Sequence, residues 1–496
     1  MPRLRLLVPL AVPVALVLGA SPVLAYTAVS PVLVSDASPW AACPDGQPPG
    51  DGSTNYAGAE VEPFVAVDPT DSSHIIGVFQ QDRWNDGGAH GLRAASSFDG
   101  GQTWPTKSFA HFSTCSGSTN TDYVRASDPW VTFDTDGNAY QISLSFSATQ
   151  VISAVLVSKL PKDGTMWSNP TTLIRDVVGF HFNDKESITG DPNPARPGYV
   201  YAVWDRGTFP SDSRNFRSFF GSHAFRGQPM FSRTTDGGQT WSPAVGMANQ
   251  NIFTIGNQIA VLPDGTLVDI FQNFQGSGVQ PSPNHATEAV MVSRDAGLTW
   301  SQPIDISNWT PELTVDPDTG SPIRTGNGLP DLAVDPRNGT IYATWEDGGF
   351  SPDHHADVAL SKSTDGGHKW STPVKVNSSP AGVQAFTPQV AVASDGTVAI
   401  TYYDFRNNTT DQTTLPTDLW FISSANGGGS WTEKHVDGPF DIDTAPNSRG
   451  PFLGDYEGLA VTGATLQDFL AFYVRSYNTP ADPLNRSDVF SVRINH

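Results

Sequence analysis

A chain of 496 residues with 50 acidic against 28 basic groups carries a formal net charge of −22 at pH 7, which argues against a nucleic-acid partner. Its 46 Gly and 40 Pro, with 38% hydrophobic residues, suit many short strands joined by turns. No metal-ligand spacing of the H-x-x-H or C-x-x-C type occurs, so a catalytic metal is not expected.

Arg3 and Arg5 precede an apolar run, Leu6 to Leu18, and SPVLA follows at Ser21 to Ala25. This pattern predicts a secretory leader over 1–25, with one large domain over 26–496. The run is short for a membrane span, and no later segment could cross a bilayer. A secreted, extracellular protein with no membrane association, acting as a monomer, is the expectation. In an oxidising compartment Cys43 and Cys115 could be bridged or free, and spacing does not decide between them.

AVSPVLVS, Ala28 to Ser35, reads as an edge strand. Hairpins then recur down the chain. They are EPFVAVDPTDSSHIIGVFQQDRW from Glu62, DPWVTFDTDGNAYQISLSF from Asp128 and ESITGDPNPARPGYVYAVWDR from Glu186. NQIAVLPDGTLVDIFQNF from Asn257, PDLAVDPRNGTIYATWEDG from Pro330, PQVAVASDGTVAITYYDFR from Pro388 and YEGLAVTGATLQDFLAFYVR from Tyr456 continue the series. Each pairs period-2 or continuous apolar strands around a DG, NG or DP turn.

Between the hairpins a second motif repeats: SFDGGQTW at Ser97, TTDGGQTW at Thr234, SRDAGLTW at Ser293 and STDGGHKW at Ser363. SANGGGSW at Ser424 and PKDGTMW at Pro161 are degenerate copies, and successive Trp residues stand 63, 74, 59, 70 and 61 apart. An Asp followed by glycines makes a tight turn, its carboxylate bonding the amides ahead. The Trp opens the next strand and offers a large apolar ring to a neighbouring unit. One hairpin plus one such turn makes four antiparallel strands, the content of one propeller blade. The expected fold is therefore an all-β propeller with seven blades favoured and six as the alternative. The last unit, ending in DVFSVRI, would borrow its fourth strand from Ala28–Ser35 and so remove the exposed edges.

Propeller geometry puts the Asp-motif turns on one face. The starts of the inner strands and the ends of the second strands then share the other. Glu62, Asp128, Glu186, Asn257, Asp331, Gln389 and Tyr456–Glu457 stand at the strand starts. Asp82–Arg83, Asp205–Arg206, Glu346–Asp347, Asp404 with Arg406, and Arg475 stand at the second-strand ends, and Arg449 precedes the seventh unit. Charges converging on one axis are the kind of cluster that binds polar ligands and perturbs pKa values.

The S-x-D-x-G-x-T-W turns resemble the Asp boxes of the sialidase (neuraminidase) superfamily, and the chain over 26–496 is similar to secreted bacterial sialidase-like repeat proteins. The resemblance implies a glycan substrate and retaining hydrolysis with a Tyr nucleophile, a Glu that activates it, an Asp acid/base and three Arg on the substrate carboxylate. Carried over, Asp82 is the acid/base, with Glu62 and Asp128 competing. Tyr456 beside Glu457 supplies the Tyr–Glu couple, although strand neighbours face opposite ways, which leaves Tyr402 and Tyr403 as options. Arg83, Arg206, Arg406, Arg449 and Arg475 compete for the clamp, and Glu186 and Asp331 complete the substrate-binding candidates. The Arg-Ile-Pro motif usual ahead of the first box is absent, and sialidases have six blades.

An exo-α-sialidase is the leading function. A two-carboxylate glycan hydrolase is the alternative, and its carboxylate separation would be about 5–5.5 Å for retention or 6.5–9.5 Å for inversion. A non-catalytic propeller that binds glycan or protein is the third reading, and it requires rim charges paired with one another. No cofactor is expected. Turns such as DPDTG at Asp316 have a composition that can hold structural Ca²⁺, and turn chemistry alone also accounts for them.

Overall fold

The computed structural model describes residues 26–47, 52–178, 181–208, 226–248, 252–274, 286–477 and 486–496. The predicted leader, 1–25, lies outside the described residues. These hold no α-helix, only two short 3₁₀ turns at Gly348–Phe350 and Ile442–Thr444. No helix among them is long and apolar enough to cross a membrane.

Among the described residues, antiparallel strands succeed one another in seven units. Unit 1 is Asn55–Asp68, Asp71–Trp84, Ala89–Ser97 and Thr106–Ser108; unit 2 is Arg125–Phe133, Ala139–Phe146, Ser153–Leu160 and Thr171–Asp176. A single bridge, Ala89 to Ala126, joins these two sheets. Units 3 to 6 begin at His181–Gly190, Thr254–Val261, Asp331–Val334 and Ala385–Val392, and each adds three further strands. Unit 7 is Gly458–Thr462, Asp468–Ser476 and Ser487–Asn495, with Thr27–Ala28 and Val32–Leu33 paired on its outer edge. The first strand of each unit packs against that of the next, and unit 7 packs back onto unit 1. The fold is a closed β-propeller.

The repeated turn explains much of the packing. In the first copy Asp99 Oδ1 accepts the amides of Gln102 and Thr103, both at 2.9 Å, and Ser97 Oγ accepts the Gly101 amide at 2.8 Å. The bond to the amide four residues on, and the Ser or Thr Oγ bond, recur at the Asp236, Asp295, Asp365 and Asn426 turns. Gly101 has φ +83°, and a Cβ there would stand 2.8 Å from Leu470 of unit 7. This glycine is thus required twice, for its dihedral and for the close approach of the preceding unit. Trp104 Nε1 donates to Ser491 Oγ at 2.9 Å, and its ring packs on Phe472. Cys43 and Cys115 are bridged, tying the N-terminal segment to the loop after unit 1.

Candidate functional site

Five of the inner strands carry the same irregularity. Between Val61 and Phe64, Ser127 and Trp130, Asp184 and Ser187, Ile255 and Gln258, and Phe386 and Gln389, two residues oppose one on the second strand. The first residue of each bulge is left-handed: Glu62 (φ +53°), Asp128 (+51°), Lys185 (+47°), Gly256 (+76°) and Thr387 (+50°). A bulge re-aims its side chain, and a non-glycine residue there costs on the order of 1–2 kcal/mol. Such strain gathers where function needs a particular geometry.

Three of these side chains meet. Lys185 Nζ lies 3.2 Å from Glu62 Oε1, 2.7 Å from Asp128 Oδ1 and 2.6 Å from Asp455 Oδ2. Sharing one ammonium keeps the Glu62 and Asp128 oxygens within about 6 Å of each other. Asp455 also receives Arg324 through two nitrogens, at 3.2 and 2.8 Å. Arg324 comes from the long 309–330 connection and Asp455 from the 442–457 connection. These two connections meet over the tunnel mouth, where the Arg324 amide donates to Pro451 O and Glu62 N to Leu453 O, both at 3.1 Å. Gly326 and Gly450 sit at the crossing because a Cβ on either would run into backbone of the other connection.

The electrostatics follow from burial and neighbours. Burial first, then Asp128, pushes the Glu62 carboxyl up to about 8 despite Lys185. Asp184, on the Lys185 strand, is pushed up to about 7 by burial and then by Asp128. Asp455 is buried as well, yet Arg324 and Lys185 outweigh that and hold it far below the ordinary carboxylate range. Burial alone would lower the Lys185 ammonium; Asp128, Asp455 and Glu62 reverse this and raise it. Groups driven apart in this way are suited to opposite roles in proton transfer. Beneath them a narrow cavity is lined by Lys185, Asp455, Tyr456, Trp130, Asn257 and Glu346. The cavity's free volume is about 20 Å³, room for one or two waters.

Glu62 and Asp128 therefore come together, with Tyr456 beside them. The Tyr456 hydroxyl donates to Pro129 O at 3.3 Å and its ring packs on Trp130. Glu457 points the other way, into the core, where it accepts the Tyr403 hydroxyl at 2.8 Å and the Val474 amide at 3.1 Å. Tyr456 and Glu457 thus form no couple, whereas Tyr403, on the second strand of unit 6, and Glu457, from the 442–457 connection, do. Asp82 is fully buried away from the cluster, accepting from the Gly58 amide at 2.7 Å and Ser38 Oγ at 2.5 Å, with His90 at 3.2 Å. Asp331 caps the Val390 amide of the next unit at 2.7 Å. Glu186 is buried, and burial followed by Asp128 holds its carboxyl well above the usual range.

The arginines divide as well. Arg206 is held by both oxygens of Asp176, at 2.9 and 2.6 Å, and Arg475 faces Asp437 at 3.5 Å. Arg406 is held by Asp404 and Glu433 and stacks on Trp420, 3.6 Å from the ring centre. These three are occupied within or beside their own units and do not converge on the mouth. Arg83 does lie there, buried, donating to Gly88 O at 3.0 Å and facing the Phe452 ring, whose other neighbour is Arg324. Arg449 is exposed near Arg324, left-handed at φ +72°.

Lys185, Asp184, Asp455 and Arg324 were not among the sequence candidates. The signal for Lys185 was register: aligning Glu62-Pro63, Asp128-Pro129 and Thr387-Pro388 places Lys185, not Glu186, at the bulge. Arg324 and Asp455 lie in connections without strand periodicity. In the DPDTG turn Asp316 is engaged by the Asp318 amide at 2.9 Å and the Thr319 hydroxyl. Among the described residues the group of metal-ligand type is Cys43, Asp45 and Cys115, whose two thiols are consumed by the disulfide.

No protein-family model matches the chain, and no curated protein matches it. Solved structures do. A Dyadobacter fermentans protein of unknown function shares 13% identity, with 76% of this chain and 96% of that one covered and a TM-score of 0.46. A Fusarium graminearum α-L-arabinofuranosidase with an iminosugar inhibitor shares 13%, covering 75% and 93%, at 0.44. The intramolecular trans-sialidase of Ruminococcus gnavus with oseltamivir carboxylate shares 14%, covering 89% and 94%, at 0.41. Likeness this distant assigns this chain neither an activity nor a substrate.

Proposed function

We propose that the protein is a secreted, glycan-active enzyme, a sialidase-like glycoside hydrolase working at the propeller mouth, most simply an exo-α-sialidase. The observation that carries this is the meeting of Glu62, Asp128 and Asp455 on one ammonium, with Glu62, Asp128 and Lys185 on left-handed backbone that aims them inward. Glu62, protonated at neutral pH, suits a general acid that gives its proton to a leaving glycosidic oxygen. Asp128 and the strongly acidic Asp455 provide negative charge facing a developing oxocarbenium ion. Arg449, exposed beside Arg324, would receive a sugar carboxylate. The Cys43–Cys115 bridge is consistent with an oxidising compartment.

A panel of fluorogenic glycosides, including the sialoside and arabinosides, tests the reading. Turnover of at least one is expected, falling by about 10²–10⁴ in Glu62→Gln. A second reading, a propeller that binds glycan without cleaving it, is favoured by the mutual pairing of the mouth charges and the narrowness of the cavity. Glycan binding by calorimetry without turnover on any sugar would select it.

A further inference from the structure

Building on the hydrolase reading above, we propose that Lys185 is a positioning residue that sets the charge state of the Glu62–Asp128 carboxyl pair. Its three contacts come from three separate elements: the first strand of unit 1, the first strand of unit 2, and the connection entering unit 7. An ammonium has three N–H donors, and each finds one carboxyl group. A guanidinium, a planar fork, cannot address three carboxylates arranged around a point. The position is built for this, since the left-handed bulge at Lys185 turns the side chain toward the axis instead of along its own strand. Of the five bulge residues, two are acids and two, Gly256 and Thr387, carry no charge. Lys185 alone brings a positive charge.

The other charged groups around this point are known. Asp184 and Glu186 come from the Lys185 strand, Arg83 from unit 1 and Arg324 from the 309–330 connection, and the Tyr456 ring centre lies 5.5 Å from Nζ. Arg324 is spent on Asp455 and Ser448. Glu62 and Asp128 therefore have Lys185 as their cationic contact within 4 Å among the described residues. Removing its charge must make Glu62 harder to ionise.

The test uses the full chain as Lys185→Met and Lys185→Arg. The infrared carbonyl band of protonated carboxyl groups is followed against pH, alongside the pH profile of turnover on whichever glycoside the wild type cleaves. In Lys185→Met the band should persist at least about one pH unit higher than in the wild type, since a contacting opposite charge is worth about one to three units. The basic limb of kcat/KM should move the same way. Lys185→Arg should titrate near the wild type while losing rate through poorer placement. A Lys185→Met band that titrates as the wild type does, or a Lys185→Arg band displaced by a full unit, overturns the proposal. Should Lys185→Met fail to fold, Lys185→Gln and the Arg variant carry the same tests. Absence of turnover by the wild type would sink the hydrolase reading, and the infrared measurement would still decide the role of Lys185.

Discussion

The seam between units 1 and 7 closes the ring, and one substitution should report on it: Gly77→Ala. Gly77 lies mid-strand, paired with Val65 and Ala95, at an ordinary strand dihedral, so backbone strain is not at issue. A Cβ there would stand 2.7 Å from Cε1 of Phe472 and nearer still to the tip of the ring. Phe472 cannot retreat: it is fully buried, with Trp104 packed 5.3 Å away and Gly458 against its Cβ. Overpacking of this kind costs about 1–3 kcal/mol. At about 2.1 cal/mol/K of unfolding entropy per residue, a domain of this size loses about one degree of Tm per kcal/mol. Gly77→Ala should therefore lower Tm by about 1–3 °C in calorimetry. Phe472→Ala should lower it by about 3–5 °C through the cavity it leaves. In the double variant the added methyl enters that cavity, so the loss should fall short of the sum by about 0.5–3 kcal/mol. A neutral Gly77→Ala, or a strictly additive pair, would refute the account of the seam.

Two further outcomes are expected. Glu62 at about 8, with Asp184, Asp331 and Glu346 each at about 7, is raised by burial. Their contribution is complete below the unfolded carboxyl value and is lost as pH rises through 7–8. The turn carboxylates Asp236 and Asp295, held at about 2 by their hydrogen bonds, act oppositely and lose their contribution as pH falls toward that value. Tm should thus decline between pH 5 and pH 8, less steeply in Glu62→Gln; a Tm rising over that interval would contradict it. Cys43→Ser opens a loop spanning 72 residues, for which chain entropy alone predicts a loss of about 4 kcal/mol. The matching fall in Tm should also appear when the wild type is reduced, and indifference to reductant would show that the bridge adds nothing.

What could be read without coordinates was what is local. Asp99, Gly101 and Trp104 write their turn within eight residues, so the repeat announced strands, turns and a propeller. The opposed directions of Tyr456 and Glu457, expected from strand alternation, hold although both residues stand just ahead of the strand Gly458–Thr462. A single residue of register, carried only by the alignment of the X-Pro steps, separates Lys185, whose ammonium meets three carboxyl groups, from Glu186, which lines the same cavity without a hydrogen-bond partner for its carboxyl oxygens among the described residues. Partner choice was not legible: Arg206, Arg406 and Asp82 have the right chemistry at strand ends, but Asp176, Glu433 and the Gly58 amide claim them nearby. Arg324 and Asp455 meet across 131 positions of sequence, through connections whose course no hydrophobic period describes.

The pairing of Thr27–Ala28 and Val32–Leu33 with Ser487–Asn495 has a bearing on how the molecule is made. Six units can assemble in order as they emerge, each on its predecessor. The circle stays unsealed until the final strand arrives to meet a partner synthesised more than 450 residues earlier. Loop closure over such a span is slow, so a newly made chain passes through an interval as an open arc with two bare edges. Fusions that delay or obstruct Ser487–Asn495 should lengthen that interval and expose the arc to edge-on association.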